Sequence, residues 1–112
     1  MVPKHVIIAL KVLIQDLIAQ RYDKVEADGF AGSLDAAQLK SAIDNYGREL
    51  IQIPDSQLLS NEPIRIDDPE EIWAFDIDLW TKEEGSSDLT LSVWVKVVHE
   101  KVEIEITNLH VL

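Results

Sequence analysis

The last third of the chain alternates apolar and polar residues with period two in three successive runs, the pattern of a β-strand with one buried face. In Ile72 to Trp80, positions Trp73, Phe75, Ile77 and Leu79 alternate with Ala74, Asp76 and Asp78. The same parity puts Leu89, Leu91, Val93, Val95 and Val97 of the Asp88 to Val98 run on one face, and Val102, Ile104 and Ile106 of the Lys101 to Thr107 run. With His99-Glu100 as connection, Val97 faces Val102, Val95 faces Ile104 and Lys96 faces Glu103, so a single register buries the apolar residues and pairs the charges. Three antiparallel strands follow, with Asp76 opposite Ser92 and Asp78 opposite Thr90. Neither His nor Glu favours the positive φ of a two-residue hairpin turn, which leaves a longer loop open. Gly85 suits a left-handed position in the Lys82 to Ser87 connection. Past Thr107 the parity breaks, and Leu109, Val111 and Leu112 read as a bulge followed by an anchored end.

The first half has helical spacing instead. Val6, Leu10, Leu13 and Leu17 recur on one face of a helix predicted from residue 4 to about 22, with Pro3 suited to its first turn. Ile7, Ile14 and Ile18 widen the stripe enough to touch both a sheet and another helix. Ile8 and Val12 lie toward the wet side, either as rim packing or as a surface for self-association. Asp23 to Gly32 reads as a short helical turn and loop. A second helix then begins at Asp35, whose side chain and that of Gln38 form a capping box, and ends at Gly47. Pro54, Pro63 and Pro69 make residues 51 to 71 a wrapping segment with room for a brief edge strand at Ile64 to Ile66.

The predicted fold is therefore α+β: two N-terminal helices packed on one face of a curved antiparallel meander of three to four strands, in a single domain spanning residues 1–112. This element order resembles the cone-like folds of nuclear transport factor 2 and the cystatins. With 46% hydrophobic residues the chain can bury one core and fold alone.

A net charge of -11 repels phosphate backbones, which argues against nucleic acid as a partner. Residues 61 to 112 hold four basic against thirteen acidic residues, so most of that charge lies in the strand-forming half. The absence of cysteine removes disulfides, thiolate metal sites and a thiol nucleophile, and makes the cytoplasm the default compartment. The N-terminal Val6 to Ile14 run is interrupted by Lys11 and too short to span a bilayer, and Asp16, Gln20 and Arg21 follow it, so neither a signal peptide nor a membrane segment is expected.

No motif in the chain is diagnostic of catalysis. The inner sheet face carries twelve apolar residues and no titratable group, which reads as plain core or as an apolar pocket. The outer face carries Asp76, Asp78, Glu103 and Glu105, but the two acidic pairs lie two strands apart, roughly 9 to 10 Å, too far to share an ion. No metal and no cofactor are expected. Strand parity turns Trp80 and Trp94 to that same outer face, either as partner anchors or as residues covered by the C-terminus or the 51 to 71 segment.

The stretch Leu39-Lys-Ser-Ala-Ile-Asp-Asn-Tyr-Gly-Arg-Glu-Leu50, the segment from Asp78-Leu-Trp-Thr through Gly85 to Leu91, and the ending Asn108-Leu-His-Val-Leu112 resemble a family of small bacterial proteins known only as a domain of unknown function. The resemblance covers most of the chain from about residue 34 and implies no activity, cofactor or catalytic residue. Its features Trp80, Gly85, Asp88 and His110 read as a strand end, a turn, a turn cap and a C-terminal anchor.

Two functional classes remain. One is a non-catalytic interaction protein, immunity-like in size and acidity, that binds a basic protein through Trp80, Trp94, Asp76, Asp78, Glu103 and Glu105. The other is a small-molecule binder or enzyme with a pocket between helices and sheet rimmed by Tyr22, Tyr46 and His110. A homodimer through the sheet face would bring like charges together and is expected to be weak.

Overall fold

The computed structural model describes residues 2–32, 34–67, 71–99 and 101–111. Helix α1 spans Lys4–Ile18, and its Val6, Leu10, Leu13 and Leu17 are fully buried at the spacing the sequence shows. It stops four residues earlier than expected because the chain reverses at Gln20, whose φ is 61°. The Gln20 N–H donates to the Leu17 carbonyl (3.1 Å) and the Arg21 N–H to the Asp16 carbonyl (2.8 Å), closing the helix end with a left-handed residue that is normally glycine. The chain freed by this reversal forms a separate helix, α2 (Tyr22–Ala27), which buries Tyr22 and Val25. Among the described residues the helical layer thus has two longer helices and, where the sequence predicts a short helical turn, the six-residue α2. In α3 (Ala36–Tyr46) the expected caps are present: Asp35 accepts from the Gln38 N–H, Gln38 accepts from the Asp35 N–H, and Gly47 has φ 74°.

Among the described residues, five strands form one antiparallel sheet: β1 (Leu50–Ile51), β2 (Ile64–Asp67), β3 (Glu71–Thr81), β4 (Gly85–Val98) and β5 (Lys101–Val111). Strand β3 pairs with β4 along one edge, and its other edge is shared by β1 at one end and β2 at the other. Between them the Asn61 side-chain amide donates to the Asp76 carbonyl (2.9 Å), filling a ladder position that neither short strand reaches. The β4–β5 register has the expected pairs Val97 with Val102, Val95 with Ile104 and Lys96 with Glu103. Val98 pairs with Lys101, so the connection is two residues long, and His99 takes φ 48° there; Glu100 lies outside the described residues, as does Leu112 of the expected C-terminal anchor.

Two bulges shape the sheet. The register of β3 and β4 shifts between Asp78 and Trp80, where the buried Ser87 hydroxyl donates to the Leu79 carbonyl (2.6 Å). Thr107 is an extra residue in β5, and its hydroxyl donates to the Ser92 carbonyl (3.2 Å). The bulge lies where the parity of the sequence breaks; β5 continues through it to Val111 with its faces exchanged, so that Leu109 turns in while Asn108 and His110 turn out.

The helices cover the inner face, where Trp73, Phe75, Ile77, Leu79, Leu91, Val93, Val95, Ile104 and Ile106 join α1 and Leu39 of α3 in one core. Ile53 and Leu58 of the wrapping segment close it on the β1 side.

The outer edge of β5 is guarded by the loop after α2: the Ile106 N–H donates to the Phe30 carbonyl (2.8 Å), and Gly32 lies so close that a Cβ there would meet the Ile106 carbonyl oxygen at 2.5 Å. Gly29 in the same loop has φ 79° and open space around it. Alanine at either position therefore bears the left-handed backbone cost of about 1–2 kcal/mol, and at Gly32 it must also break the contact with β5. Chemical denaturation should show G32A less stable than G29A, with faster amide exchange at Ile106 in G32A alone.

Candidate functional site

The pairing register places four rows of side chains across the outer face of the sheet. Ile66, Ile72, Lys96 and Glu103 form the first, and Ile64, Ala74, Trp94 and Glu105 the second. Asp76, Ser92 and Asn108 form the third, and Asp78, Thr90 and His110 the fourth. Two of the expected site residues therefore stand apart in character. Trp94 is 46% exposed on the second row, as is Ile64 at 65% on the far side of Ala74. Trp80 is half-buried against the core, its ring 3.5 Å from where a Gly85 Cβ would lie, so it acts in packing.

The acidic residues differ in the same way. Asp78 is half-buried and accepts on both oxygens, from the Thr90 hydroxyl (3.1 Å) and from the Asn61 amide (3.2 Å). Asp76 is exposed, and the Ser92 hydroxyl donates to its Oδ1 (2.6 Å). Among the described residues its Oδ2 has no such partner. Glu103 and Glu105 are exposed on β5, two strands from the aspartates. No group of three or more His, Asp or Glu that could hold a metal ion occurs among the described residues.

Tyr22, Tyr46 and His110 do not rim a common pocket. The Tyr22 ring is buried in the helical layer, where burial and the nearby Asp44 push its hydroxyl pKa up against the opposing pull of Lys40. The Tyr46 hydroxyl donates to Glu84 (2.9 Å) and accepts from the Asp88 N–H (3.3 Å), tying the end of α3 to the β3–β4 turn. His110 lies on the opposite side of the sheet, facing Thr90, because the Thr107 bulge reverses its parity. Its Nδ1 is buried with no hydrogen-bond partner among the described residues.

Asp16, which the periodicity of α1 does not mark, is 3% exposed and accepts from Arg21 (2.9 Å) on one oxygen and from Lys24 (2.8 Å) on the other. It pins the α1–α2 reversal. Beside it an open groove of about 310 Å³ runs between α1 and residues 52–58, floored by Ile14, Ile18, Ile53 and Leu58 and bridged by a Lys11–Asp55 ion pair (2.9 Å). Ile8 and Val12 are exposed on α1, with Val12 at the groove's margin.

These features define an α+β protein with helices on one face of a curved, open sheet and an exposed tryptophan on the other. Residues 14–112 match the family model described as Domain of unknown function (DUF7668), and the chain belongs to that family. No curated protein and no solved structure matches the chain. Among the described residues no helix is long and apolar enough to cross a membrane.

Burial raises the Asp16 carboxyl pKa, but the hydrogen bonds from Lys24 and Arg21, reinforced by their charges, outweigh it and hold the group below the ordinary aspartate value. A lowered folded-state pKa means that the clamp contributes fully above about pH 4, the unfolded value, and is lost as pH falls through the folded value. D16N should cost about 1–3 kcal/mol at neutral pH. It should also flatten the acid limb of a melting-temperature profile, and an acid limb unchanged from wild type would show that Asp16 does not carry it.

Proposed function

We propose that this protein is a non-catalytic interaction module that binds a basic protein partner through the outer face of its sheet. The observation that carries this reading is Trp94, a large aromatic residue left 46% exposed on β4 with Asp76, Glu103 and Glu105 around it and Lys96 opposite Glu103. An exposed indole costs solvation that a partner can recover, and aromatic residues dominate binding energy at such centres. The surrounding carboxylates supply steering toward a positive surface and repel acidic competitors. Trp80 and Asp78, already engaged within the fold, contribute shape and not contacts.

The same charges oppose self-pairing. Two copies meeting through this face would bring Asp76, Glu103 and Glu105 of both together, so any such dimer is weak and tightens as salt screens the repulsion. A complex with a basic partner loosens over the same salt range.

Titration with an oligolysine nonapeptide, followed by amide chemical shifts, tests the reading. Shifts should concentrate on β3, β4 and β5 around Asp76, Trp94 and Glu105, and W94A should weaken binding about tenfold, the loss of a modest hot spot. Shifts confined to α1 and residues 52–58 would place the interaction on the other side of the molecule and overturn it.

A further inference from the structure

The second outer row is large, small, large: Ile64 on β2, Ala74 on β3, Trp94 on β4. Neighbouring strands lie about 4.8 Å apart, so roughly 9.6 Å separates the Ile64 and Trp94 backbones across a residue with only a methyl group. The result is a hollow of about 200 Å³ with Ile64 and Trp94 as walls and Ala74 as floor. Asp76 and Glu62 line it, and among the described residues no Lys, Arg or His does.

The hollow is also braced. Ser92, itself part of the lining, donates to Asp76 Oδ1 at 2.6 Å and so fixes the carboxylate while leaving Oδ2 available. Asn61, bonded to the Asp76 carbonyl (2.9 Å) and to Asp78 (3.2 Å), holds the segment that carries Glu62 and Ile64 against β3. The chain's own arginine nearby does not line it: Arg65 pairs with Trp73 on the other side of the strand, its exposed guanidinium 5.5 Å over the Trp73 ring.

From this geometry we infer that the notch between Ile64 and Trp94 is a receptor for one arginine side chain of the basic partner. The inference rests on the interaction reading above and adds its anchor. A guanidinium is flat, so it can lie between two apolar walls and stack on the indole, and its fork of donors reaches a carboxylate oxygen whose direction is already set. The aliphatic stem then covers Ile64 and Ala74. A lysine ammonium is compact and strongly hydrated, and gains less from an indole wall and a single open oxygen. The site therefore distinguishes arginine from lysine at equal charge, which net acidity alone does not.

The test compares two nonapeptides of glycine and serine carrying either three arginines or three lysines, titrated calorimetrically into the full chain and into A74L and D76N. A74L fills the floor, whereas D76N keeps the Ser92 contact and removes the charge. The arginine peptide should bind wild type at least fivefold more tightly than the lysine peptide, and each folded variant should lose that preference while retaining salt-sensitive binding of both. Equal affinities in wild type, or a preference surviving in D76N, would overturn the notch and leave the broader interaction face standing. Failure of both peptides to bind wild type would remove the face and the notch together. Should A74L not fold, the D76N comparison decides.

Discussion

A pleated strand sends its side chains alternately to two faces, so the apolar residues concentrated on one face of β3, β4 and β5 need a cover that the sheet itself does not supply. Helix α1 answers that need, with Val6, Leu10, Leu13 and Leu17 fully buried, each worth about 1.5–3 kcal/mol relative to exposure. Most of the remaining architecture keeps this cover in place. The Gln20 reversal and the buried Asp16, held by Arg21 and Lys24, turn the chain back so that α2 adds Tyr22 and Val25 to the same core. The carboxylate sits where α1 meets α2, with both its oxygens already committed to cations. Its burial is tolerable only with both partners, which makes the joint sensitive to acid as well as to substitution.

The edges pose a second problem, because unpaired N–H and C=O groups invite further strands. On β3 the edge is divided between β1 and β2, with the Asn61 amide in the gap. On β5 the Phe30 carbonyl takes the Ile106 N–H, and Gly32 lies against the strand more closely than any side chain would permit. Both devices come from irregular segments rather than from strands. Residues 23–32 and 52–63, which carry little periodicity, therefore finish the sheet that the periodic segments begin.

That division explains what could be read in advance. Wherever burial is one-sided, the period-two and helical patterns declared it: the β3–β4 and β4–β5 registers, the inner face, the Asp35 and Gln38 capping box and the Gly47 stop all lie in such segments. The end of α1 was hidden because its left-handed residue is Gln20, which carries none of the signal of a glycine or asparagine. The convergence expected of Tyr22, Tyr46 and His110 does not occur: Tyr22 is buried in the helical layer, Tyr46 is tied to Glu84 and Asp88, and the Thr107 bulge exchanges the faces of β5 and sends His110 outward. The outer-face acidic residues were legible as a set, but not the difference between Asp78, which accepts on both oxygens from Thr90 and Asn61, and Asp76, which among the described residues accepts on one from Ser92. That difference depends on Asn61, which comes from a segment whose course no pattern sets.

The outer face is consequently two surfaces. Toward Trp80 the Asp78 carboxylate is satisfied within the fold by Thr90 and Asn61, while His110 Nδ1 in the same row is buried with no partner among the described residues. Toward Ile64 it exposes apolar area beside carboxylates, in a row where Ala74 occupies a strand position that a β-branched residue would favour. Stability alone would fill that position, since a larger side chain would cover Trp94 and Ile64 at once and strengthen the cross-strand row. Leaving it small leaves indole and aliphatic surface in water next to an oriented carboxylate. A flat cation with an aliphatic stem is the chemistry that relieves all three, by covering the apolar walls, stacking on the ring and satisfying Asp76.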